Sequence, residues 1–415
     1  FYRPDGLLAN SKLKWETTIS RNFGIDFGFL NNRVNGSLEV YWNTTKDLLM
    51  AVPVDNTTGY SYQFQNFGKT SNRGIELSVN VDVINKGDFR FNVGAIYNYN
   101  RNKLDELPNA DQYLYSSYWG SSSLVPTNDY MFVEGKAIGL VRGFISEGYY
   151  TVDDFNYTNG QYVLKEGVPD ITKALTATYM HPYDLPAGQT AFPGAAKFRD
   201  VDESGTVDLD DATCLGEVMP RHTGSFQLNF NYKNFDLSTN FNWTAGGKVY
   251  NVAAMINASG QEFDGIGAQR ASWVADAFKV YNVNAAGDLY AVTNPDELRA
   301  LNANAKYHLP YHQSGITSSE WLENGSYLRL QTLTLGYTLP KNWLTKVHVD
   351  KIRLYLTATN LFTITGYSGI DPEVNANPTG QSGFYSDLRI FPTLNMDFGT
   401  YPRARTFTFG ANITF

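Results

Sequence analysis

The stretch Phe226-Gln227-Leu228-Asn229-Phe230-Asn231-Tyr232, then Lys233-Asn234, then Phe235-Asp236-Leu237-Ser238-Thr239-Asn240-Phe241-Asn242-Trp243 alternates apolar and polar residues with a period of two. Side chains of a strand point alternately to its two faces. One face here is therefore apolar, and the other carries Gln227, Asn229, Asn231, Asp236, Ser238, Asn240 and Asn242. The two-residue break is the length of a tight hairpin turn, which makes the stretch an antiparallel pair.

The same pattern extends in both directions. Ile75, Leu77, Val79, Val81 and Val83 alternate with Glu76, Ser78, Asn80 and Asp82, and after a turn at Asn85-Lys86-Gly87 come Phe89, Phe91, Val93, Ala95, Tyr97 and Tyr99. A third pair joins residues 17–29 to 34–49 through Asn31-Asn32-Arg33, and a fourth joins 326–339 to 351–364 through Leu339-Pro340-Lys341-Asn342-Trp343. The last segment runs Phe407, Phe409, Ala411, Ile413, Phe415. These make about nine strands, longer than the roughly 5 to 6 residues of a soluble strand and long enough for the roughly 9 to 11 that a tilted transmembrane strand needs.

The connections sort by length. Four are short, the others span 50–70, 105–221, 250–324 and 366–402, and the two kinds alternate strictly. A soluble sandwich has no reason to collect its long loops at one end, whereas an outer-membrane barrel has short periplasmic turns and long extracellular loops. The predicted fold is all-β, a transmembrane antiparallel β-barrel with 105–221 as a large extracellular loop. Trp42, Tyr99, Tyr232 and Trp243 near strand ends suit an interfacial girdle. Nine is odd where bacterial single-chain barrels are even, so either the count is off by one or 1–415 is the C-terminal part of a larger barrel, and the opening Phe1-Tyr2-Arg3-Pro4 with no leader favours the second.

Composition agrees with a membrane barrel. Aromatic residues make up 15% of the 415 and charged residues 18%, against roughly 25% charged in an average soluble protein. No run approaches the roughly 18 apolar residues of a spanning helix. The net charge of −8 comes from acids and bases mixed along the chain without a basic face, which argues against nucleic acid as a partner. The one cysteine, Cys214, cannot form an internal disulfide and reads as a small packed side chain.

Several stretches resemble the C-terminal barrel segment of the SusC/RagA family of TonB-dependent outer-membrane transporters. They are Leu13-Lys14-Trp15-Glu16, Thr45-Lys46-Asp47-Leu48-Leu49, Asn72-Arg73-Gly74-Ile75-Glu76-Leu77-Ser78, Glu134-Gly135-Lys136-Ala137-Ile138-Gly139 and Tyr232-Lys233-Asn234-Phe235-Asp236-Leu237-Ser238. Towards the end come Tyr327-Leu328-Arg329-Leu330, Thr359-Asn360-Leu361-Phe362, Tyr367-Ser368-Gly369-Ile370-Asp371-Pro372-Glu373 and Arg405-Thr406-Phe407-Thr408-Phe409-Gly410. At Ala137 the family usually has proline. The resemblance implies a 22-stranded barrel of which this chain holds strands 14 to 22, with a plug and a TonB-contacting segment outside these residues. It also implies a SusD-like surface lipoprotein and the TonB complex as partners.

Asp200, Asp202, Ser204, Thr206, Asp208 and Asp211 occupy positions 1, 3, 5, 7, 9 and 12 of a twelve-residue calcium-loop layout, with Gly205 at the turn. Hard oxygens at alternate positions can converge on one Ca2+. The departures are Asp rather than Glu at position 12 and the lack of flanking helices, so a solvated acidic turn is the competing reading. His308 and His312 are four apart, but Pro310 between them argues against one helical face. No Gly-x-Ser-x-Gly, Walker or His-Glu-x-x-His pattern is present, so the chain does not read as an enzyme. Tyr113, Tyr115, Tyr118, Trp119, Tyr149 and Tyr150 lie among Ser, Asn and Asp in a long loop, which suits sugar stacking and a protein interface equally, with loop-on-loop packing as the competing reading.

The expected function is a TonB-dependent nutrient importer of the SusC type, taking up glycans or oligopeptides, with polar strand faces (Glu76, Asp82, Arg90, Asn92, Asn229, Asn240) lining the lumen and apolar faces meeting lipid. The rival is a secreted carbohydrate-binding β-sandwich or adhesin, which would bury the apolar faces between two sheets.

Overall fold

Period-two alternation leaves each long segment with one face that water rejects and one that it accepts. Such segments pair edge to edge here into a single antiparallel meander, in which every strand is bonded to its neighbours in sequence. The structure is a computed structural model that describes residues 7–60, 62–66, 68–107, 112–117, 124–176, 181–259, 271–309, 315–344, 349–374 and 394–415. Strand β1 is in two pieces, Thr17–Ile19 and Asn22–Phe29, both paired with β2, Val34–Lys46. There follow β3 (Lys69–Lys86), β4 (Phe89–Glu106), β5 (His222–Tyr232), β6 (Phe235–Ala245), β7 (Tyr327–Thr338), β8 (Lys351–Thr365) and β9 (Thr406–Thr414).

Register turns the alternation into continuous rows. Phe91, Phe230, Leu237, Leu335, Leu356 and Phe409 stand in one row across β4 to β9. The rings of Phe91 and Phe230 stack with centroids 4.3 Å apart. On the opposite face Asn92, Asn229, Ser238, Thr334, Thr357 and Thr408 form the matching polar row. Ser238 Oγ there donates to Asn229 Oδ1 at 2.7 Å, and the Thr334 and Thr357 hydroxyls are 2.9 Å apart.

The alternation has one correction at Val83. The register shifts between Asp82 and Ile84, so Val83 is the extra residue of a bulge and Ile84, not Val83, stands opposite Phe91. The Arg33 guanidinium donates to the carbonyls of Asp82 and Val83, satisfying groups that the bulge removes from the ladder.

Nothing in this arrangement supports a sandwich. Phe23, Ile25, Leu335, Leu356, Phe407 and Phe409 are exposed, Phe409 by 74%, where a second sheet would have buried them. Long loops and short turns lie at opposite ends of the strands, as they do in the wall of a transmembrane β-barrel.

The long loops fold on one another into a head. One core contains Phe144, Tyr150, Tyr162, Phe192, Val207 and Leu298, and a second contains Tyr115, Tyr130, Val141, Tyr250, Trp321 and Met396. Main-chain bonds braid three loops together: Phe144 N–H to Thr317 O at 2.9 Å, Thr317 N–H to Val125 O at 3.0 Å, and Tyr250 N–H to Asn395 O at 2.9 Å. Burying two apolar cores offsets the conformational entropy that such long segments lose on ordering.

Candidate functional site at the long-loop end

The inner wall changes character along its height. Towards the short turns it carries charges: Glu39 stands opposite Glu76, Asp82 opposite Asn92, and Arg353 bonds Asp236. Towards the long loops it carries amides. Asn43, Asn72 and Asn102 stand in one row across β2, β3 and β4, and Asn242 Nδ2 donates to Gln331 Oε1 where β7 bulges. Asn100 Oδ1 accepts from Tyr41 Oη at 3.0 Å. Across β2–β4 the mouth is thus lined by groups that both donate and accept hydrogen bonds without carrying charge, while on β7 the charged Arg329 stands opposite Asn242.

Arg329 fastens the last long loop to this wall. It lies on the inner face of β7, 2% exposed, and donates to Asp371 Oδ1 at 2.5 Å, Glu373 Oε2 at 2.9 Å and Thr363 Oγ1 at 3.0 Å. Arg403 holds the other oxygen of Glu373 at 2.6 Å. Tyr367 Oη donates to Asp397 Oδ2 at 2.6 Å, which ties the two ends of the same loop together.

Asp129 and the half-buried Glu320 have no lysine or arginine partner among the described residues of the head. Asp129, fully buried, accepts from Ser117 N–H at 2.7 Å and Ser117 Oγ at 2.6 Å, and burial still pushes it up to about 6. Burial pushes Glu320 up to about 7 and holds neighbouring His308 down to about 4. His308 Nδ1 sits 2.8 Å from Leu309 O and so carries the proton, turning an unprotonated Nε2 to Glu320 at 3.9 Å. His312, the other half of the His pair, lies outside the described residues.

Of the six calcium-loop residues, the structure brings Asp200, Asp202 and Asp211 together, with carboxylate oxygens within 4.8 Å of one another. Asp200 Oδ2 accepts Gly205 N–H at 2.7 Å, which fixes the turn, and the buried Asp211 accepts Val201 N–H at 2.5 Å and Asp208 N–H at 2.8 Å. The other three are turned to local work. Asp208 Oδ1 caps the short turn Leu209–Asp211 by accepting Asp210 N–H, and Ser204 Oγ donates to the Thr206 carbonyl at 3.0 Å.

The loop aromatics are core. Tyr115 and Tyr150 are buried, Tyr115 stacking on Phe132 at 4.6 Å, and Tyr113 and Tyr149 pack half-buried against the same cores. Loop packing therefore accounts for these four, while Tyr118 and Trp119 lie outside the described residues. Cys214 is exposed, not packed.

Comparison with known proteins settles the family. A family model described as TonB dependent receptor-like, beta-barrel matches residues 2–361. The chain belongs to that family. A TonB-dependent receptor β-barrel is an outer-membrane protein, and its relatives are receptors rather than enzymes. The chain is 30% identical to TonB-dependent receptor P3 of Formosa agariphila over 98% of its own length and 35% of the relative's. It is 27% identical to TonB-dependent receptor SusC of Bacteroides thetaiotaomicron over 98% of its length and 32% of that protein's. The solved RagAB peptide transporter superposes with a TM-score of 0.65 at 22% identity, covering 98% of this chain and 36% of that one, a likeness of fold. The receptor segment described here thus spans about a third of the length of the relatives it matches.

Sequence reading missed the Arg329 cluster. Tyr327-Leu328-Arg329-Leu330 and Ile370-Asp371-Pro372-Glu373 both stood out, but their partners are 42 and 44 residues apart in sequence and no periodicity joins them.

Proposed function

We propose that the whole protein is a TonB-dependent importer of the SusC type that takes up oligosaccharides, capped by a SusD-like surface lipoprotein. The observation that carries the reading is the neutral amide wall of the mouth, Asn43, Asn72, Asn100, Asn102 and Asn242, beneath a folded loop head. Amides match sugar hydroxyls, which also both donate and accept, and offer no fixed charge to the termini of a peptide. Oligopeptide import is the second reading, favoured by the fold shared with the RagAB peptide transporter.

Uptake of labelled neutral oligosaccharides and of labelled oligopeptides by cells bearing the full-length protein, with and without functional TonB, separates the two. TonB-dependent uptake of the oligosaccharide supports the proposal; uptake of peptide alone transfers it to the second reading. For the partner, shortening 105–130 is expected to release a lipoprotein from detergent-purified complexes while leaving the barrel folded, and undiminished co-purification contradicts the cap.

The acidic loop is proposed to take Ca2+. Asp200, Asp202 and Asp211 would hold it, and the ion would cross-brace the segment between Phe198 and Val207, both of which are in the first loop core.

A further inference from the structure

The outer face of β1–β4 carries a row of cations immediately beyond the apolar belt. Arg21, Trp42, Arg73 and Arg101 stand at one level: Trp42 N–H donates to Arg21 O at 3.0 Å, Trp42 pairs with Arg73, and Arg73 pairs with Arg101. All four side chains are exposed. The next outward row towards the short turns is Phe23, Val40, Ile75 and Tyr99, and the one after it Ile25, Leu38, Leu77 and Tyr97. Three guanidinium groups and an indole therefore sit on the lipid side of the wall, at the long-loop edge of its hydrophobic band. That level is where the headgroups of the outer leaflet lie.

These arginines differ from the others in their surroundings. Arg199, Arg221, Arg299, Arg329, Arg353 and Arg403 each bond a carboxylate, whereas among the described residues Arg21, Arg73 and Arg101 have no ion pair, a lack they share with Arg33, Arg90, Arg142 and Arg405; what sets the three apart is that they stand at one level beside one another on the outward face. Like charges directly opposite on adjacent strands, as Arg73 and Arg101 are, destabilise the pair unless an anion lies between them. One row further out Lys103 has Asp105 3.5 Å away, and beyond it Lys69 pairs with Glu106, so the carboxylates on hand are engaged above the arginines. The patch is local. Across β6–β8 the outward residues near the same rim are Trp243, Leu328 and Ile364, all apolar.

We propose that Arg21, Arg73 and Arg101, with Trp42 beside them, bind the phosphate of an outer-leaflet glycolipid. Guanidinium forks match phosphate oxygens two at a time. Cross-strand neighbours stand about 5 Å apart at Cβ, so adjacent forks can share one phosphate. The acyl chains would then lie along Phe23, Ile25, Ile75 and Leu77. The site belongs to the barrel wall and does not depend on what the barrel imports.

The test uses the full-length protein in detergent, titrated with monophosphorylated lipid A and with its dephosphorylated form. Wild type is expected to prefer the phosphorylated lipid, with affinity that falls as salt is raised. The variant Arg21→Gln, Arg73→Gln, Arg101→Gln is expected to bind it roughly a hundredfold more weakly, taking about fivefold for each cation near the surface. Arg405→Gln, on a different part of the wall, is expected to leave binding unchanged. If the triple variant does not fold, Arg73→Gln alone and the wild-type salt titration carry the test. Equal binding of the two lipids by wild type, or a salt-independent affinity, overturns the proposal, as does undiminished binding by a folded triple variant.

Discussion

Arg353 of β8 reaches over Gly336 of β7 to Asp236 of β6, with Nε 2.9 Å from Oδ1. The strand between the two partners has no side chain at that position, and a Cβ placed on Gly336 would stand 2.4 Å from Asp236 Oδ1 and 2.5 Å from an Arg353 nitrogen. Glycine is needed here for space alone. Gly336→Ala is expected to force the pair apart and destabilise the short-turn end of the wall by about 1–3 kcal/mol. In an Asp236→Ala background the same substitution should cost less, because the carboxylate that the added methyl would meet is no longer there. Urea unfolding of the reconstituted full-length protein measures both, and equal costs in the two backgrounds would remove the steric account.

Arg329 is the cation on which the last long loop closes. Arg329→Met leaves the buried Asp371 without its cation, while Glu373 keeps Arg403, at a cost of about 3–5 kcal/mol. The expected result is faster proteolysis within 366–405 with the barrel strands still protected. Arg329→Lys should restore only part of the protection, because an ammonium cannot fork to two carboxylates. Unaltered cleavage of that loop in Arg329→Met contradicts the assignment.

Glu320 makes the head sensitive to pH. Its carboxyl is raised to about 7 in the folded protein from 4.5, so its contribution is fully present below about 4.5 and is lost as pH rises through 7. His308, held down to about 4, works oppositely: its contribution is present above about 6.5 and is lost as pH falls through 4. Between pH 6.5 and 8 folded His308 stays neutral while the unfolded imidazole, half protonated at 6.5, loses its remaining charge, so His308 adds about 0.4 kcal/mol against the larger loss at Glu320. The head should lose roughly 0.5 kcal/mol net across that window, read as faster amide hydrogen exchange in residues 315–323 after correction for intrinsic rates. Glu320→Gln should abolish the loss. A variant that keeps the wild-type slope would place the titrating group elsewhere.

Asp200→Asn combined with Asp202→Asn tests the acidic loop. If Ca2+ is held by Asp200, Asp202 and Asp211, calcium at a hundredfold excess over its dissociation constant should stabilise segment 195–215 by about 2.7 kcal/mol in wild type and not in the double variant. Limited proteolysis with calcium and with chelator measures it. Protection of wild type that ignores calcium returns the loop to the solvated-turn reading.

The wall was legible because lipid on one side and polar contacts on the other force the same alternation on every strand. Short turns such as Lys233-Asn234 then leave little freedom of register. The bulge at Val83 was not legible, since Val83 and Ile84 are both apolar and either could continue the pattern. The head was legible only as long loops. Whether Tyr115 and Tyr150 meet a sugar or a core depends on which distant segments come to them, and those are joined by isolated bridges such as that of Phe144 to Ser318. The calcium-loop spacing marked six residues, but backbone N–H groups had drawn oxygens of Asp200, Asp208 and Asp211 into the turn, which spacing does not record.

The measurement that bears most directly on the account is lipid-phase quenching at two adjacent residues of β5. Leu228 and Asn229 sit on opposite faces of the wall, Leu228 opposite Val93 and Thr239, Asn229 opposite Asn92 and Ser238. A fluorophore on cysteine at position 228 of the full-length reconstituted protein should be quenched strongly by lipids brominated near the bilayer centre, and one at 229 weakly. Leu228→Arg should in parallel cost about 2–4 kcal/mol in the bilayer, with Asn229→Arg mild. Equal quenching at the two positions, or stronger quenching at 229, contradicts a lipid-facing wall with a polar interior.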